Sequence, residues 1–321
     1  MEQYYTQEGD RKDLAVNLNP PENYIGYKLM PIVEVGQKSG TVYFMDVDTV
    51  ANSASQTNRA SGSAPSPTLL ADSSTSYTCG ERIKRAAVDV TEAKQITVAG
   101  ADKAGVRWAA RQVWNAHEAE VAALIMDQDP DDTFTASTFV QDVQTALDSM
   151  RNIEGRTALV ASTQTFRWIC QNSTVAAMIL RIVTGNAPGE AVQGLSLQQS
   201  TYAMAILLGV DDILLGSEEL WGDEAGYGRR FAIVKYDASG DALSQKAAPI
   251  FGKTIAYLDE QGAGGIFGVS ATADRVNLRN LYDCVAWWDA VQFNSEAVYL
   301  FSEADGRSES STSQSSESSS S

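Results

Sequence analysis

The sequence predicts an α+β protein on three observations. Apolar residues recur every three or four positions between Asp102 and Asp127, which indicates one long amphipathic helix. From about Gly155 onward, strand-like and helix-like patterns alternate, as is typical of an α/β lobe. Before the helix, the β-branched and aromatic residues of Tyr24–Val35 and Thr41–Met45 predict extended segments.

Composition and charge narrow the class of protein. The 321 residues are enough for two medium domains or one elaborated domain, with a substantial core. A net charge of −17 argues against direct nucleic-acid binding, because a duplex-binding surface needs clustered basic residues, and Lys84-Arg85 and Arg229-Arg230 are only pairs. No apolar run is long enough to span a bilayer and no signal peptide is evident, so we expect folding in the cytoplasm of the producing cell.

The cysteines predict a reduced protein. Cys79, Cys170 and Cys284 are an odd number of thiols, far apart in sequence and without C-x-x-C spacing. This pattern suits buried free thiols better than a disulfide framework or a zinc site.

The first eighty residues predict two extended features. The polar residues up to Asn23 read as an arm, and Tyr24–Val35 should run at a sheet edge or along another subunit. Strands predicted at Thr41–Met45 and Ser76–Cys79 are separated by a segment dense in Ser, Ala, Asn and Pro. We therefore expect a long hairpin that reaches outward with a mobile tip.

The helices have recognisable start signals. Asp102 is the predicted N-cap of the long helix, which should end at about Asp127. Thr138 with Gln141, and Ser196 with Gln199, have the spacing of capping boxes for two further helices. Another helical stretch is predicted over Phe166–Ile182.

Strands and a polar tail complete the chain. Strands are predicted at Thr157–Ala161, Val210–Leu215, Arg230–Tyr236 and Ala297–Phe301. Beyond Glu303 the chain is almost all Ser with a few acidic and polar residues, a composition that should be disordered or loosely held.

His117 is the only histidine, so it is the only candidate base for a serine or cysteine nucleophile. It lies on the apolar stripe of the long helix with no nucleophile near it in sequence. We interpret it as a packed or interface histidine, with pH sensing during assembly left open.

Acidic residues give one candidate cation site. Asp127, Asp129, Asp131 and Asp132 cluster around Pro130 but lack the Gly and the closing Glu of an EF-hand, so helix-terminal and solvated roles are favoured. Whether the cluster binds a cation is left open by the sequence. The adjacent pairs Asp211-Asp212 and Glu218-Glu219 would point to opposite faces of a strand and do not make a carboxylate dyad.

Two further motifs are interpreted as structural. Gly262–Gly268 is glycine-rich without the Lys-Ser or Lys-Thr of a P-loop, and is expected to be a flexible loop. Trp287-Trp288 is expected to lie in the core, with an interface anchor as the alternative. We therefore predict no catalytic, cofactor-binding or metal-binding residues, no cofactor, and no enzymatic activity.

Three segments resemble the major capsid proteins of tailed double-stranded DNA bacteriophages, which have the Hong Kong 97-type fold. Tyr24–Val35 resembles the segment that precedes their extended loop. Asp102–Ala122 resembles their spine helix, including a late Glu followed by Val-Ala. Leu207–Gly216 resembles a helix-to-strand step in their axial lobe, and the three segments occur in the family's order.

The resemblance implies a division of the chain into parts. The long helix at 102–127 would be the spine, the hairpin would lie over an adjacent subunit, and the axial lobe would point towards the five-fold and six-fold axes. The implied parts are an N-terminal arm at 1–37, an E-loop hairpin at 38–85, a P-domain at 86–154, an A-domain at 155–290, a returning P-domain strand at 291–302, and a Ser-rich tail at 303–321.

The sequence departs from the family in two respects. Some members crosslink their shells through an E-loop lysine, yet no lysine occurs here between Lys38 and Lys84, so we expect a shell held by non-covalent contacts. Some members also carry a domain-sized scaffolding segment. Only about twenty residues precede Tyr24, so we expect a separate scaffolding protein.

The implied function is structural. Copies would form hexamers and pentamers of an icosahedral virion head that encloses DNA without binding it specifically, with a portal and, as an open question, decoration proteins as partners and no membrane. The nearest alternative is an encapsulin-like nanocompartment of the same fold. A soluble α/β enzyme or ligand-binding protein, and another virion component such as a decoration or tail protein, are further alternatives.

Overall fold

A computed structural model describes residues 4–5, 16–17, 20–21, 23–45, 72–89, 98–135, 137–184, 195–237, 250–257, 267–274 and 276–303. The strands are β1 (Tyr4–Tyr5), β2 (Val16–Asn17), β3 (Ile32–Val35), β4 (Ser39–Met45), β5 (Asp72–Thr78), β6 (Gly80–Asp89), β7 (Asp132–Phe134), β8 (Arg156–Ser162), β9 (Asp212–Gly216), β10 (Arg230–Tyr236), β11 (Gly252–Tyr257), β12 (Phe267–Asp274), β13 (Arg279–Gln292) and β14 (Val298–Glu303). The α-helices are α1 (Gly26–Leu29), α2 (Val98–Met126), α3 (Phe139–Ser149), α4 (Thr163–Gln171), α5 (Ser173–Thr184), α6 (Leu197–Leu208) and α7 (Glu218–Trp221), with short 3-10 helices at Asp223–Ala225 and Ser295–Ala297.

One five-stranded sheet, which we call sheet I, has the order β7-β14-β10-β8-β9. Its central strands β14, β10 and β8 are antiparallel, whereas β7 and β9 pair in parallel at the two edges. The middle of β8 and of β10 is buried on both faces, which explains their continuous apolar runs. The Phe231 and Phe301 rings stack with centroids 4.6 Å apart inside the largest apolar cluster.

A second five-stranded sheet, sheet II, is built around the 14-residue strand β13. β13 pairs antiparallel with β6, β12 and β11, and β11 pairs in parallel with β3. The helix α2 lies on one face of sheet II, where Val106, Ala109 and Val113 share a buried cluster with Tyr282 and Trp288. Small residues allow this close approach: a Cβ on Gly105 would lie 2.6 Å from Val88 Cγ2.

A third unit is the hairpin of β4 and β5, which pair with each other from Ser39↔Thr78 to Met45↔Asp72. Among the described residues these strands pair with no other strand, so no backbone hydrogen-bond ladder joins the hairpin to either larger sheet. The hairpin predicted from sequence is confirmed for these strands. Residues 46–71, which include the predicted tip, lie outside the described residues.

The predicted start of the long helix is wrong by one turn. α2 begins at Val98, so Asp102 lies inside the helix rather than at its N-cap, whereas the end at Met126 agrees with the predicted end at about Asp127. Asp102 is 1% exposed and its Oδ1 accepts a hydrogen bond from Asn280 Nδ2 at 3.4 Å. The carboxylate therefore faces sheet II, a long-range partner that no local cap signal reveals.

Of the two predicted capping boxes, one forms. Ser196 and Gln199 cap α6 reciprocally, as predicted. Thr138 has helical backbone angles and no side-chain cap, so the box predicted with Gln141 is wrong. The Thr138 hydroxyl instead donates to Asp142 Oδ2 at 2.6 Å, since the chain already turns at Thr135 before the helix begins.

Strand pairing also groups the chain differently from the implied parts. The segments β11, β12 and β13 were expected in the lobe at 155–290 but belong to sheet II against α2. The strand expected to return to the long helix within 291–302, β14, pairs with β10 and β7 of sheet I. The tail at 304–321 and most of Gly262–Gly268 lie outside the described residues.

Candidate assembly surfaces

The end of the N-terminal segment is tied to the long helix by Glu118. This carboxylate is 2% exposed and accepts hydrogen bonds from the backbone N–H of Ile25 at 2.8 Å and of Gly26 at 2.7 Å. Trp221 Nε1, in α7 beside sheet I, donates to the same carboxylate at 2.7 Å. Burial raises the pKa of Glu118, and the three donors partly offset that rise by favouring the charged form.

Glu120, two residues on, makes the matching contact with sheet II. Its Oε2 accepts from Trp288 Nε1 at 3.0 Å and pairs with Arg82 at 3.2 Å. The Arg82 guanidinium also lies over the Trp288 ring, 5.8 Å from its centroid. The late Glu of the spine-like segment therefore holds the sheet that α2 covers.

The base of the β4–β5 hairpin rests on sheet II. Val42, Tyr77 and Cys79 share a buried cluster with Ile255 and Val291. Phe44 stacks on Phe293 with ring centroids 5.5 Å apart, and Lys38 Nζ lies about 5 Å from the centroids of Tyr257 and Trp287. Tyr43, on the opposite face of β4 from Val42 and Phe44, is 59% exposed.

A lone two-stranded hairpin is marginally stable in water, because it buries too little apolar surface to offset its ordering entropy. The β4–β5 strands are rich in Ser and Thr and expose Tyr43. One face of the described hairpin thus packs on sheet II, while Tyr43 on the other face is exposed. The exposed face is suited to contact with another molecule.

His117 is packed in the core, as predicted. It is 1% exposed and sits edge-on to both Trp114 and Trp288. Its Nε2 lies 2.8 Å from Thr254 Oγ1; since that hydroxyl donates to Met30 O, it accepts from an Nε2–H. Burial lowers the pKa of His117 to about 4, so the ring is neutral at pH 7.

The acidic residues around Pro130 do not converge. Asp131 Oδ2 accepts from Leu300 N and Asp132 Oδ1 from Thr133 N, both at 2.7 Å, so these carboxylates serve the edge of sheet I. Asp127 and Asp129 are exposed. Within the described ranges no three His, Cys, Asp or Glu side chains are gathered as metal ligands would be.

The acidic pairs Asp211-Asp212 and Glu218-Glu219 also make structural contacts. Asp211 Oδ2 accepts from Thr157 N at 2.8 Å, whereas Asp212 pairs with Arg156 at 2.8 Å. Glu218 Oε1 accepts from Asp223 N at 2.8 Å and caps that turn. The members of each pair therefore do not form a carboxylate dyad.

An open cleft of about 560 Å³ lies between α4, α7 and the edge of β14. It is lined by Gln164, Thr165, Trp168, Glu218, Asp223, Tyr227, Gly228, Arg229, Arg230, Ser302 and Glu303. Arg229 is paired with Glu303 at 3.0 Å and stacked on Trp168, while Arg230 Nη1 donates to Met126 O. Within the cleft, Arg229 is therefore held by a carboxylate and an indole, and Arg230 by the backbone.

The remaining predicted residues are structural where they are described. Cys79, Cys170 and Cys284 are buried free thiols, and burial raises the pKa of Cys170 and of Cys284 to about 12. Trp288 is 2% exposed, in the core as predicted, and Trp287 packs beside the hairpin base.

The structural role of Glu118, which joins the N-terminal segment and α7 to the long helix, was not predicted from the sequence. Glu118 stands four residues after Trp114 and three before Val121, on the buried stripe of α2. An acidic residue at such a position signals a buried hydrogen-bonding role, although its partners cannot be read from the sequence.

Replacing Glu118 should loosen the N-terminal segment and α7 together. Glu118→Gln turns an amide –NH₂ towards one backbone N–H, so we expect the free energy of unfolding to fall by about 1–3 kcal/mol. Glu118→Ala leaves three buried donors without acceptors and should cost about 3–5 kcal/mol. Urea midpoints measure the loss of stability in both variants, with Glu296→Gln at an exposed position as a matched control. A Glu118→Gln protein with the same midpoint as wild type would show that Glu118 does not hold these segments.

His117 should make the fold acid-sensitive. Its folded pKa of about 4 lies below the ordinary 6.5, so the unfolded chain binds the proton first and stability falls as the pH drops from about 6.5 to about 4. That difference corresponds to roughly 3 kcal/mol. His117→Gln should lose this component, so its urea midpoint relative to wild type should rise between pH 7 and pH 4.5. A constant difference between the two proteins would contradict the prediction.

The chain is similar in structure to phage capsid proteins and to an encapsulin, whereas its sequence matches no protein-family model and no curated protein. A phage-related protein from Bordetella bronchiseptica aligns with a TM-score of 0.64 at 16% identity, covering 89% of this chain and 93% of that one. The capsid of cyanophage P-SCSP1u gives 0.52 at 10% identity, covering 87% and 88%. The encapsulin of Synechococcus elongatus also gives 0.52 at 10% identity, covering 94% and 96%.

The alignments cover between 87% and 94% of this chain, so the likeness concerns the fold of most of it. The chain has the mixed α+β fold found in phage capsid proteins and encapsulins.

Proposed function

We propose that this chain is the major capsid protein of a tailed double-stranded DNA phage, with the Hong Kong 97-type fold. Copies form hexamers and pentamers that close into an icosahedral shell around the genome. The observation that carries the proposal is the likeness to the cyanophage capsid over 87% of this chain. A structural role also agrees with the cleft, where Arg229 pairs with Glu303 and Arg230 donates to the backbone of the same chain.

The parts of the proposed subunit follow the strand pairing. Sheet II with α2 is the P-domain and its spine, sheet I with helices α3 to α7 is the A-domain, and the β4–β5 hairpin is the E-loop. The segment before α1 is the N-terminal arm, fixed at its end by Glu118. The exposed face of the hairpin, which carries Tyr43, would lie against a neighbouring subunit.

The proposed partners are copies of this chain, a separate scaffolding protein and a portal, with decoration proteins as an open question. The proposed location is the virion, after assembly in the host cytoplasm. None of the helices in the described ranges is long and apolar enough to cross a membrane. The acidic balance of the chain agrees with a shell that encloses DNA without specific binding.

An encapsulin-like compartment is the second candidate. The likeness to the Synechococcus encapsulin equals that to the cyanophage capsid in TM-score, and it covers slightly more of this chain. The two functions share a fold and differ in cargo, which a fold likeness does not distinguish.

Purified full-length protein, expressed with and without phage scaffolding factors, should form closed particles by electron microscopy. For the phage function, particles from infected or induced cells should contain nuclease-resistant DNA. Protein cargo without DNA would favour the encapsulin function instead. A small oligomer under all conditions would contradict both.

The shell should be free of isopeptide crosslinks because no lysine lies between Lys38 and Lys84. Lys38 itself is held at the hairpin base over Trp287. Boiled particles should therefore run as a single 34.5 kDa band in denaturing gels. A ladder of covalent multimers would show that another residue supplies the nucleophile.

A further inference from the structure

The helix α6 lies in the longest stretch of the chain without ionisable acid or base side chains. Residues 191–210 contain no Asp, Glu, Lys, Arg or His, although the whole chain has 41 acidic and 24 basic residues. The neighbouring segment 168–180, which includes most of α5, is also free of them. Two packed helices of the lobe therefore form a charge-poor region in a highly charged molecule.

One face of α6 is buried, and the opposite face exposes large apolar side chains together with the uncharged Gln198 and Gln199. Ala203, Met204 and Leu208 pack into the main core. On the outer side Tyr202 is 70% exposed and Ile206 is 52% exposed, one helical turn apart. Leu197 at the start of α6 and Met178 of α5 are each 38% exposed.

A helix on the surface of a soluble protein ordinarily carries charged residues on its outer face. A surface helix that has no charged residue and exposes large apolar side chains is typical of an interaction site. Single exposed apolar residues are common, but Tyr202 and Ile206 adjoin each other and no charged residue of α6 accompanies them. The outer face of α6 therefore has the composition of an interface.

The net charge indicates what covers this face. Two copies, each of charge −17, repel one another, and contact through acidic surfaces would require carboxylates to lose water opposite like charges. An uncharged apolar face avoids that cost. A basic partner, in contrast, would be attracted to the acidic surfaces and would gain nothing from a neutral helix.

We propose that the outer face of α6 is a self-association surface, on which Tyr202 and Ile206 bind a second copy of this chain. This inference deepens the proposed shell function, on which it rests, by assigning one of the contacts between subunits. A different protein, or another segment of the same chain, is the occupant to be excluded.

Thiol labelling tests the occupant directly. The three native cysteines are buried, so a thiol introduced by Ile206→Cys is the reactive one. We expect maleimide to label it rapidly in unassembled subunits and at least ten-fold more slowly in assembled particles. An oxidant or a short bifunctional maleimide should link copies to each other only through this position. Glu154→Cys, at an exposed residue outside α6, controls for general reactivity.

The outcomes separate this inference from the shell function. Closed particles in which the introduced thiol stays fully reactive overturn the inference and leave the shell function standing. A small oligomer with a protected, self-linking thiol supports the inference and contradicts the shell. Protection by a different protein, or within a single copy, overturns self-association.

A charge series provides a second test. Ile206→Glu and Tyr202→Lys place a charge of either sign on the face, and each should reduce the assembled fraction at least ten-fold in sedimentation. Ile206→Leu keeps the apolar face and should assemble as wild type does. Circular dichroism and the urea midpoint check that each subunit is folded. Unimpaired assembly of a folded Ile206→Glu protein would overturn the proposal.

Discussion

The buried carboxylate of Glu118 joins two separate parts of this chain to one point on the long helix. It fixes the backbone at Ile25 and Gly26 and, through the indole of Trp221, the α7 region beside sheet I. A carboxylate at 2% exposure is costly unless its lone pairs are used, and here three donors use them. The fit leaves no spare room, since a Cβ on Gly26 would lie 2.7 Å from Glu118 Oε2.

Glu120 complements this contact from the other side of the helix. Residues two apart on an α-helix point about 200° away from each other, so the two carboxylates face different neighbours. Glu118 receives the indole of Trp221 and Glu120 that of Trp288, which belongs to sheet II. The long helix therefore contacts elements of both sheets and fixes their positions. The hairpin is positioned in turn by its packing on sheet II.

Local signals in the sequence predicted much of this architecture. β8 and β10 are continuous apolar runs, and Ser196 has its capping partner three residues away, so each could be recognised from its own neighbourhood. The predicted N-terminus of α2 was wrong: Asp102 is not a local cap, and its carboxylate binds Asn280, 178 residues later. Long-range pairing of this kind leaves no local trace.

The same limit applies to sheet II and to the candidate site. β13 alternates buried Tyr282, Cys284, Ala286 and Trp288 with more exposed residues, a period-two pattern that is typical of a strand. Its pairing with β6 and β11 joins segments far apart in sequence, and only the fold reveals it. The importance of Glu118 likewise depends on partners about one hundred residues away on either side.

In the proposed shell, each chain is fixed internally at Glu118 and meets its neighbours at the hairpin. Hydrogen exchange on unassembled chains and on assembled particles distinguishes these two regions. We expect the amides of residues 24–30 to be protected in both states, whereas those of β4 and β5 should become strongly protected only in the particle. Equal protection of β4 and β5 in the free chain and in the particle would show that the hairpin gains nothing from assembly.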